Sequence, residues 1–199
     1  DSYFTADYKA QYGKTYEEDF EAIYRASLSR LEKISALRLR HNCGKPESVF
    51  DIGCALGFFL KAAEDSGYTR LSGLEISPFA AGYAKKRFGY DIRQEPFDPR
   101  SLSGGYDAIT AWYFLEHLPD TGQAIGAIYG ALRPGGVAAF SVPSFFGPLY
   151  LFHRREWERT HPVDHRVAFS PARVRAAMKK AGFRFVGVHA SGIDQESVV

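Results

Sequence analysis

The chain has 199 residues, 45% hydrophobic and 24% charged, which suits one well-packed core and is marginal for two. Its formal net charge is +2 without any long run of Lys or Arg, so nothing global steers it toward nucleic acid or an anionic membrane. No apolar run approaches a membrane span, no signal-peptide pattern opens the chain, and Cys43 and Cys54 cannot make a disulfide framework, so a soluble protein of a reducing, cytoplasmic setting is expected. The start at Asp1 and the end in "ESVV", without a clear terminal element, suit a trimmed piece of a longer protein.

Tyr3, Tyr8, Tyr12 and Tyr16 recur at four- or five-residue spacing, and Phe20, Ile23, Tyr24, Leu28, Leu31, Ile34 and Leu37 keep a helical period up to Gly44. Residues 1–45 therefore read as a helical N-terminal segment ahead of the core. From Ser48, strands and helices alternate as in a parallel sheet with crossover helices. Strands are predicted at Ser48–Ile52, Arg70–Ile76, Asp91–Gln94, Tyr106–Trp112, Val137–Val142 and Arg184–His189. Helices are predicted at Leu56–Ser66, from Pro78 to about Phe88, from Thr121 to Leu132, and from Pro171 to Gly182. Ser77 and Ser170 are good N-caps, each followed by Pro at the first helical position. "RPGG" reads as a turn. The densest basic cluster, "HRREWER", reads as a solvated helix face or loop.

The first strand runs into a glycine-studded turn, "DIGCALG". Glycines there let a ligand approach backbone N–H groups closely, and a nucleotide-like ligand would want a carboxylate at the end of the next strand for its ribose hydroxyls. Glu75 in "GLEIS" stands at that place. A dinucleotide fingerprint needs G-x-G-x-x-G, whereas the equivalent positions are Gly53, Ala55 and Phe58. Asp51, just before the turn, would repel a phosphate and could pair with an ammonium group.

"VFDIGCALGFFL" resembles the first motif of class I S-adenosylmethionine-dependent methyltransferases. "GLEIS" is similar to that family's acidic second-strand end, "YDAITAWYFLEHLPD" to its fourth strand and following loop, and "LRPGGVAAFSVPS" to its fifth-strand motif. "HRVAFSPARVRAAMKKAGF" is similar to the segment after the fifth strand in small-molecule enzymes such as the ubiquinone-biosynthesis O-methyltransferases. The likeness covers about Ser48 to Val188 and departs at Ala55, where the family more often has Gly. It implies an α/β fold of the Rossmann-like, doubly wound kind, with a mostly parallel sheet of the seven-stranded type lacking its last strand, and the N-terminal segment as a lid. Residues 46–199 would be the cofactor-binding methyltransferase domain, with 145–169 as the acceptor-side connection.

The resemblance also implies the site. Asp51 and the backbone at Gly53, Ala55 and Gly57 would hold the methionine part of S-adenosylmethionine, and S-adenosylhomocysteine would be the product. Glu75 would take the ribose hydroxyls, Ile76 would pack on adenine, and Glu95 with Phe97, in preference to Asp98, would complete the adenine site. Ala111 and Trp112 would lie along the methionine chain. The partner would be a small-molecule acceptor, methylated at a hydroxyl oxygen, with no nucleic acid or membrane involved; the oligomeric state is left open.

A hydroxyl must lose its proton, and a neutral His is a suitable base. His117, after Glu116, and His165, in "THPVDHR", are the catalytic candidates, against a reading in which Glu116 and His117 only fix their loop. His153, His161, Asp164 and His165 match no compact zinc spacing, so no metal is expected. Two other functions compete: an NAD-dependent oxidoreductase, and a non-catalytic scaffold domain.

Overall fold

The computed structural model of the chain describes residues 1–143, 148–155, 165–167, 169–184, 187 and 188. A π-helical turn at Tyr3–Asp7 runs into α1 (Tyr8–Tyr12), and the long α2 follows (Phe20–Arg40). Strands and helices then alternate: β1 (Ser48–Ile52), α3 (Phe58–Asp65), β2 (Arg70–Leu74), α4 (Pro78–Phe88), β3 (Asp91–Arg93), β4 (Tyr106–Trp112), α5 (Thr121–Ala131) and β5 (Leu132–Ser141). Two further helices are α6 (Pro148–Phe152) and α7 (Pro171–Ala181).

The described strands form one parallel sheet in the order β3-β2-β1-β4-β5. All five residues of β1 are buried, as a central parallel strand covered on both faces requires. Its alternating side chains serve two cores. Val49 packs on one face with Leu31 of α2, with Phe59, Leu60 and Ala63 of α3, and with Ala108. Phe50 and Ile52 face the other side, with Leu74, Ile109, Ala111, and Ala124 and Ile128 of α5. Helices on both faces of a parallel sheet make this a doubly wound, Rossmann-like fold.

The helix signals work as their chemistry predicts. Ser77 Oγ accepts from Ala80 N at 3.1 Å with Pro78 next, and Ser170 Oγ accepts from Arg173 N at 3.3 Å with Pro171 next. Several boundaries differ from expectation. Helix α3 begins at Phe58 rather than Leu56, because Ala55 and Gly57 both adopt left-handed backbone. Strand β2 stops at Leu74, although Glu75 N still donates to Arg93 O at 3.0 Å while its side chain bonds the neighbouring turns. "RPGG" lies within β5 as an irregularity: the β4–β5 register shifts between Tyr106 and Ala108, with Gly135 at φ 79°. Of the expected strand Arg184–His189, Arg184 is a bend, and residues 185, 186 and 189 lie outside the described residues.

Asp107, near the start of β4, ties the far end of the sheet. Its carboxylate accepts from Glu47 N, Ser48 N and Ser48 Oγ, each at 2.9 Å. Arg133 Nη1 lies 3.2 Å from Asp107 Oδ1, and Arg38 Nη2 lies 3.6 Å from it. Arg38, on α2, also donates to the carbonyls of Gly44, Asp107 and Gly135, so one buried guanidinium joins α2 to β4 and β5. Burial pushes the Asp107 carboxyl up, but these hydrogen bonds and Arg133 outweigh it, and its pKa is lowered. Asp107→Ala should therefore cost about 3–5 kcal/mol by leaving Arg38 without its counter-charge, read as a fall in the urea midpoint. The contribution is present above about pH 3.9 and is lost as pH falls through the lowered pKa, so the gap between mutant and wild type should narrow in acid.

Candidate active site

The parallel register brings the polar residues of the core to one edge. Asp51 pairs across the ladder with Gly73 on one side and Thr110 on the other. Thr110 Oγ1 donates to Asp51 Oδ1 at 2.6 Å, and the carboxylate is 1% exposed. Burial pushes its pKa up to about 7; the Thr110 hydrogen bond and the nearby Arg30 guanidinium pull it down, and Glu75 adds repulsion. A buried acid with so little compensation is a group that an approaching positive charge would stabilise.

The turn after Asp51 is already bonded within the protein. Gly53 N and Cys54 N donate to Leu74 O at 2.8 and 3.0 Å, Ala55 N to Glu75 Oε2 at 2.9 Å, and Gly57 N to Cys54 O at 2.9 Å. The sequence reading expects such N–H groups to lie open to a ligand; these four are spent on bonds within the protein. Gly53 has a packing reason as well. It sits at φ 72°, and a Cβ there would come within 2.6 Å of Phe114 Cδ2. Ala55 adopts φ 49°, a left-handed conformation costly for a residue with a side chain. Glu75, 7% exposed, holds it there and accepts from Ser77 N at 2.8 Å with its other oxygen.

The remaining candidates divide. Ile76 is 66% exposed and so is not part of the core. Trp112 packs between Phe59, with ring centroids 5.1 Å apart, and Arg30, whose guanidinium carbon is 4.4 Å from the ring centre. Ala111 points the opposite way, into the core beside Phe50 and Leu115. Phe97 is half-buried edge-on to Phe114 at 5.8 Å. Glu95 is exposed and lies 3.4 Å from Arg93, whereas Asp98 caps the short turn Pro99–Ser101 and pairs with Arg100. The tyrosine-rich N-terminus packs on the glycine turn: Tyr16 stacks on Phe58 at 5.6 Å and meets Phe4 at 5.4 Å, and Phe4 joins Leu56 and Phe58 in one cluster. Burial, with Tyr3 and Asp51 nearby, raises the Tyr16 pKa.

His117 and His165 come together with ring centroids 4.9 Å apart, next to the fully buried Glu116. His161 and Asp164 lie outside the described residues, and His153 is exposed at the end of α6. Arg30, Thr110, Tyr16 and Phe114 were not candidates from sequence. Thr110 left a signal, a hydroxyl in the middle of an apolar strand. Arg30 left none, because a charge on a long helix normally faces water.

The sequence model of a family described as a methyltransferase domain matches residues 20–188. A ubiquinone biosynthesis O-methyltransferase from Bordetella avium is 24% identical, over 86% of this chain and 75% of its own length. One from Aromatoleum aromaticum is 29% identical over 61% of this chain and 56% of its own. The chain thus spans about half the length of several curated relatives it matches. An S-adenosylmethionine-dependent methyltransferase from Archaeoglobus fulgidus superposes with a TM-score of 0.63 at 19% identity, over 85% of this chain and 73% of that one. One from Thermotoga maritima gives 0.61 at 22%, over 85% and 76%. At these identities the structures speak to the fold alone. Among the described residues, no helix is long and apolar enough to cross a membrane.

The raised pKa of Asp51 predicts a stability signature. An acid whose folded pKa lies above its unfolded value, about 3.9, is fully compatible with folding below that value, and stability falls as pH rises to about 7. Asp51→Asn, which keeps an acceptor for Thr110, should melt higher than wild type at pH 8 and no higher at pH 4. Equal melting differences at both pH values would show that the carboxylate carries no burial cost.

Proposed function

Because the chain belongs to the class I S-adenosylmethionine-dependent methyltransferases, we propose that it methylates a hydroxyl oxygen of a small molecule, and that the polar edge of β1, β2 and β4 is where it does so. The cofactor is S-adenosylmethionine, with S-adenosylhomocysteine as product. The residues fit that cofactor: a buried, undercompensated Asp51 suits its α-ammonium, and Arg30, close enough to pull the Asp51 pKa down, suits the carboxylate attached to the same carbon. Glu75 uses one lone pair of each oxygen on the protein, which leaves acceptor sites for two ribose hydroxyls. The carbonyl groups of the turn through Gly53, Ala55 and Gly57 flank the methionine part, and Trp112 with the backbone of Ala111 lies along it. Ile76, Phe97 and Glu95 form the adenine end; the exposure of Ile76 supports this role.

When bound, S-adenosylmethionine supplies a methyl group already activated on a sulfonium. The chain's own residues then have to hold the acceptor in line, exclude water and deal with a proton. The aromatic N-terminal segment, residues 1–45, packs on the glycine turn and acts as the lid, whereas most of the 145–169 connection assigned to the acceptor side lies outside the described residues. The observation that carries a hydroxyl acceptor is the meeting of His117 and His165 beside Glu116, in the turn that follows β4. Curated relatives that carry the name O-methyltransferase support the same chemistry.

His117→Ala should lower kcat about 100-fold on phenol or catechol acceptors and leave the dissociation constant for S-adenosylmethionine within about twofold. Methyl transfer to amines only would overturn the oxygen assignment, and cofactor binding with no transfer to any acceptor would favour a scaffold. If the ammonium pairs with ionised Asp51, cofactor affinity should rise about fivefold from pH 6 to pH 7, with an acid of pKa near 7 ionising while the ammonium stays protonated. In Asp51→Asn the affinity should be weaker and that slope should vanish.

A further inference from the structure

Tyr113, the first residue after β4, stands in a conformation that its own chemistry disfavours. Its φ is 52°, in the left-handed region where a bulky L side chain crowds the backbone and where Gly or Asn would sit at less cost. Core packing does not account for the strain, because the residue is 56% exposed. Strand β5 pins it: Tyr113 N donates to Ser141 O at 3.0 Å and to Ser141 Oγ at 3.2 Å. A tyrosine held out of the core on strained backbone points to a use for its ring.

Its neighbours define where that ring stands. Trp112 carries the Arg30 guanidinium, whose carbon is 4.4 Å from the Trp112 ring centre and 6.0 Å from that of Tyr113. Phe114 lies edge-on to Phe97 and against Gly53, where it leaves no room for a Cβ. Both neighbours thus belong with the residues assigned to the cofactor. Tyr113 is tied instead to the end of β5, which lies on the other side of β4 from Asp51. The turn Leu115–His117 follows, and chain from beyond β5 is clamped to it: Arg166 N and Val167 N both donate to Glu116 O, at 2.8 and 3.2 Å. An exposed ring between Arg30 and the His117 and His165 pair is a platform for a second flat ring. We propose, on the reading of this edge as a site of small-molecule methylation, that Tyr113 is a specificity-determining residue. Its ring stacks on a planar aromatic acceptor, and so selects aromatic hydroxyl compounds over sugars and aliphatic alcohols. Backbone fixed before the acceptor arrives has little freedom left to lose on binding.

The test is a pair of calorimetric titrations of the 199-residue chain, first with S-adenosylhomocysteine and then, once that site is saturated, with catechol. Cyclohexane-1,2-diol serves as the non-aromatic counterpart and should bind at least about fivefold more weakly than catechol. Tyr113→Asn, which suits left-handed backbone and removes the ring, should weaken catechol about fivefold and leave S-adenosylhomocysteine within about twofold. It should also melt no lower than wild type, because strain is relieved and no core contact is lost. Tyr113→Phe, which keeps the ring, should hold catechol within about twofold of wild type. No catechol binding by the loaded wild type, diol binding as tight as catechol, or unchanged catechol affinity in Tyr113→Asn overturns the proposal. A fall in melting temperature alongside the lost affinity would make the ring structural, and overturns it too. Absence of S-adenosylhomocysteine binding, read before any acceptor is added, would overturn the methyltransferase reading and this assignment with it.

Discussion

One carboxylate sets the geometry at the working edge of the sheet. Glu75 accepts from Ala55 N with one oxygen and from Ser77 N with the other. These two bonds join the turn after β1 to the turn after β2. They hold Ala55 in a left-handed conformation that an L-residue adopts only under constraint, and they fix Ser77, the cap on which α4 starts. A group already committed to two backbone donors is also a fixed group, with its remaining lone pairs aimed in one direction. Rigidity of this kind is what a binding residue needs, since little side-chain entropy remains to be lost.

The two buried acids of β1 and β4 show how the same sheet treats charge at its two ends. Asp107 is surrounded by donors and two arginines, and its ionised form is favoured. Asp51, one strand over, has Thr110 and a more distant Arg30, and its ionised form is disfavoured. Both are nearly closed to solvent, at 4% and 1% exposure, but Asp51 lies deeper, so stronger desolvation and fewer partners together set the difference. One end of the sheet is satisfied from within. At the other, the charge is only partly compensated.

Much of this was legible in the sequence, and the reasons are local. β1 is a buried apolar run, and Ser77-Pro78 and Ser170-Pro171 are capping chemistry that the chain carries within four residues. Asp51 and Glu75 could be picked out because an acid at the end of an apolar strand needs a partner. What escaped depends on contacts between distant segments. The direction in which the N–H groups of the glycine turn point is decided by Leu74 and Glu75, Gly53 is shaped by Phe114, and Arg30 comes to the site on a helix that precedes the sheet. "RPGG" read as a turn because its composition is that of a turn; the β4 ladder absorbs it as a shift of register. His165 is paired with His117 by a backbone clamp that no spacing rule describes.

The strand order β3-β2-β1-β4-β5 reverses its direction of winding between β1 and β4. The acids Asp51 and Glu75 belong to β1 and the end of β2, whereas Glu116, His117 and the clamp on His165 belong to the turn after β4 and the chain beyond β5. The two sets of residues hang from separate loops. On the proposed assignment, mutations in the second set leave the first set in place. A lineage built on this plan can change what it modifies one loop at a time, passing through intermediates that never lose their cofactor.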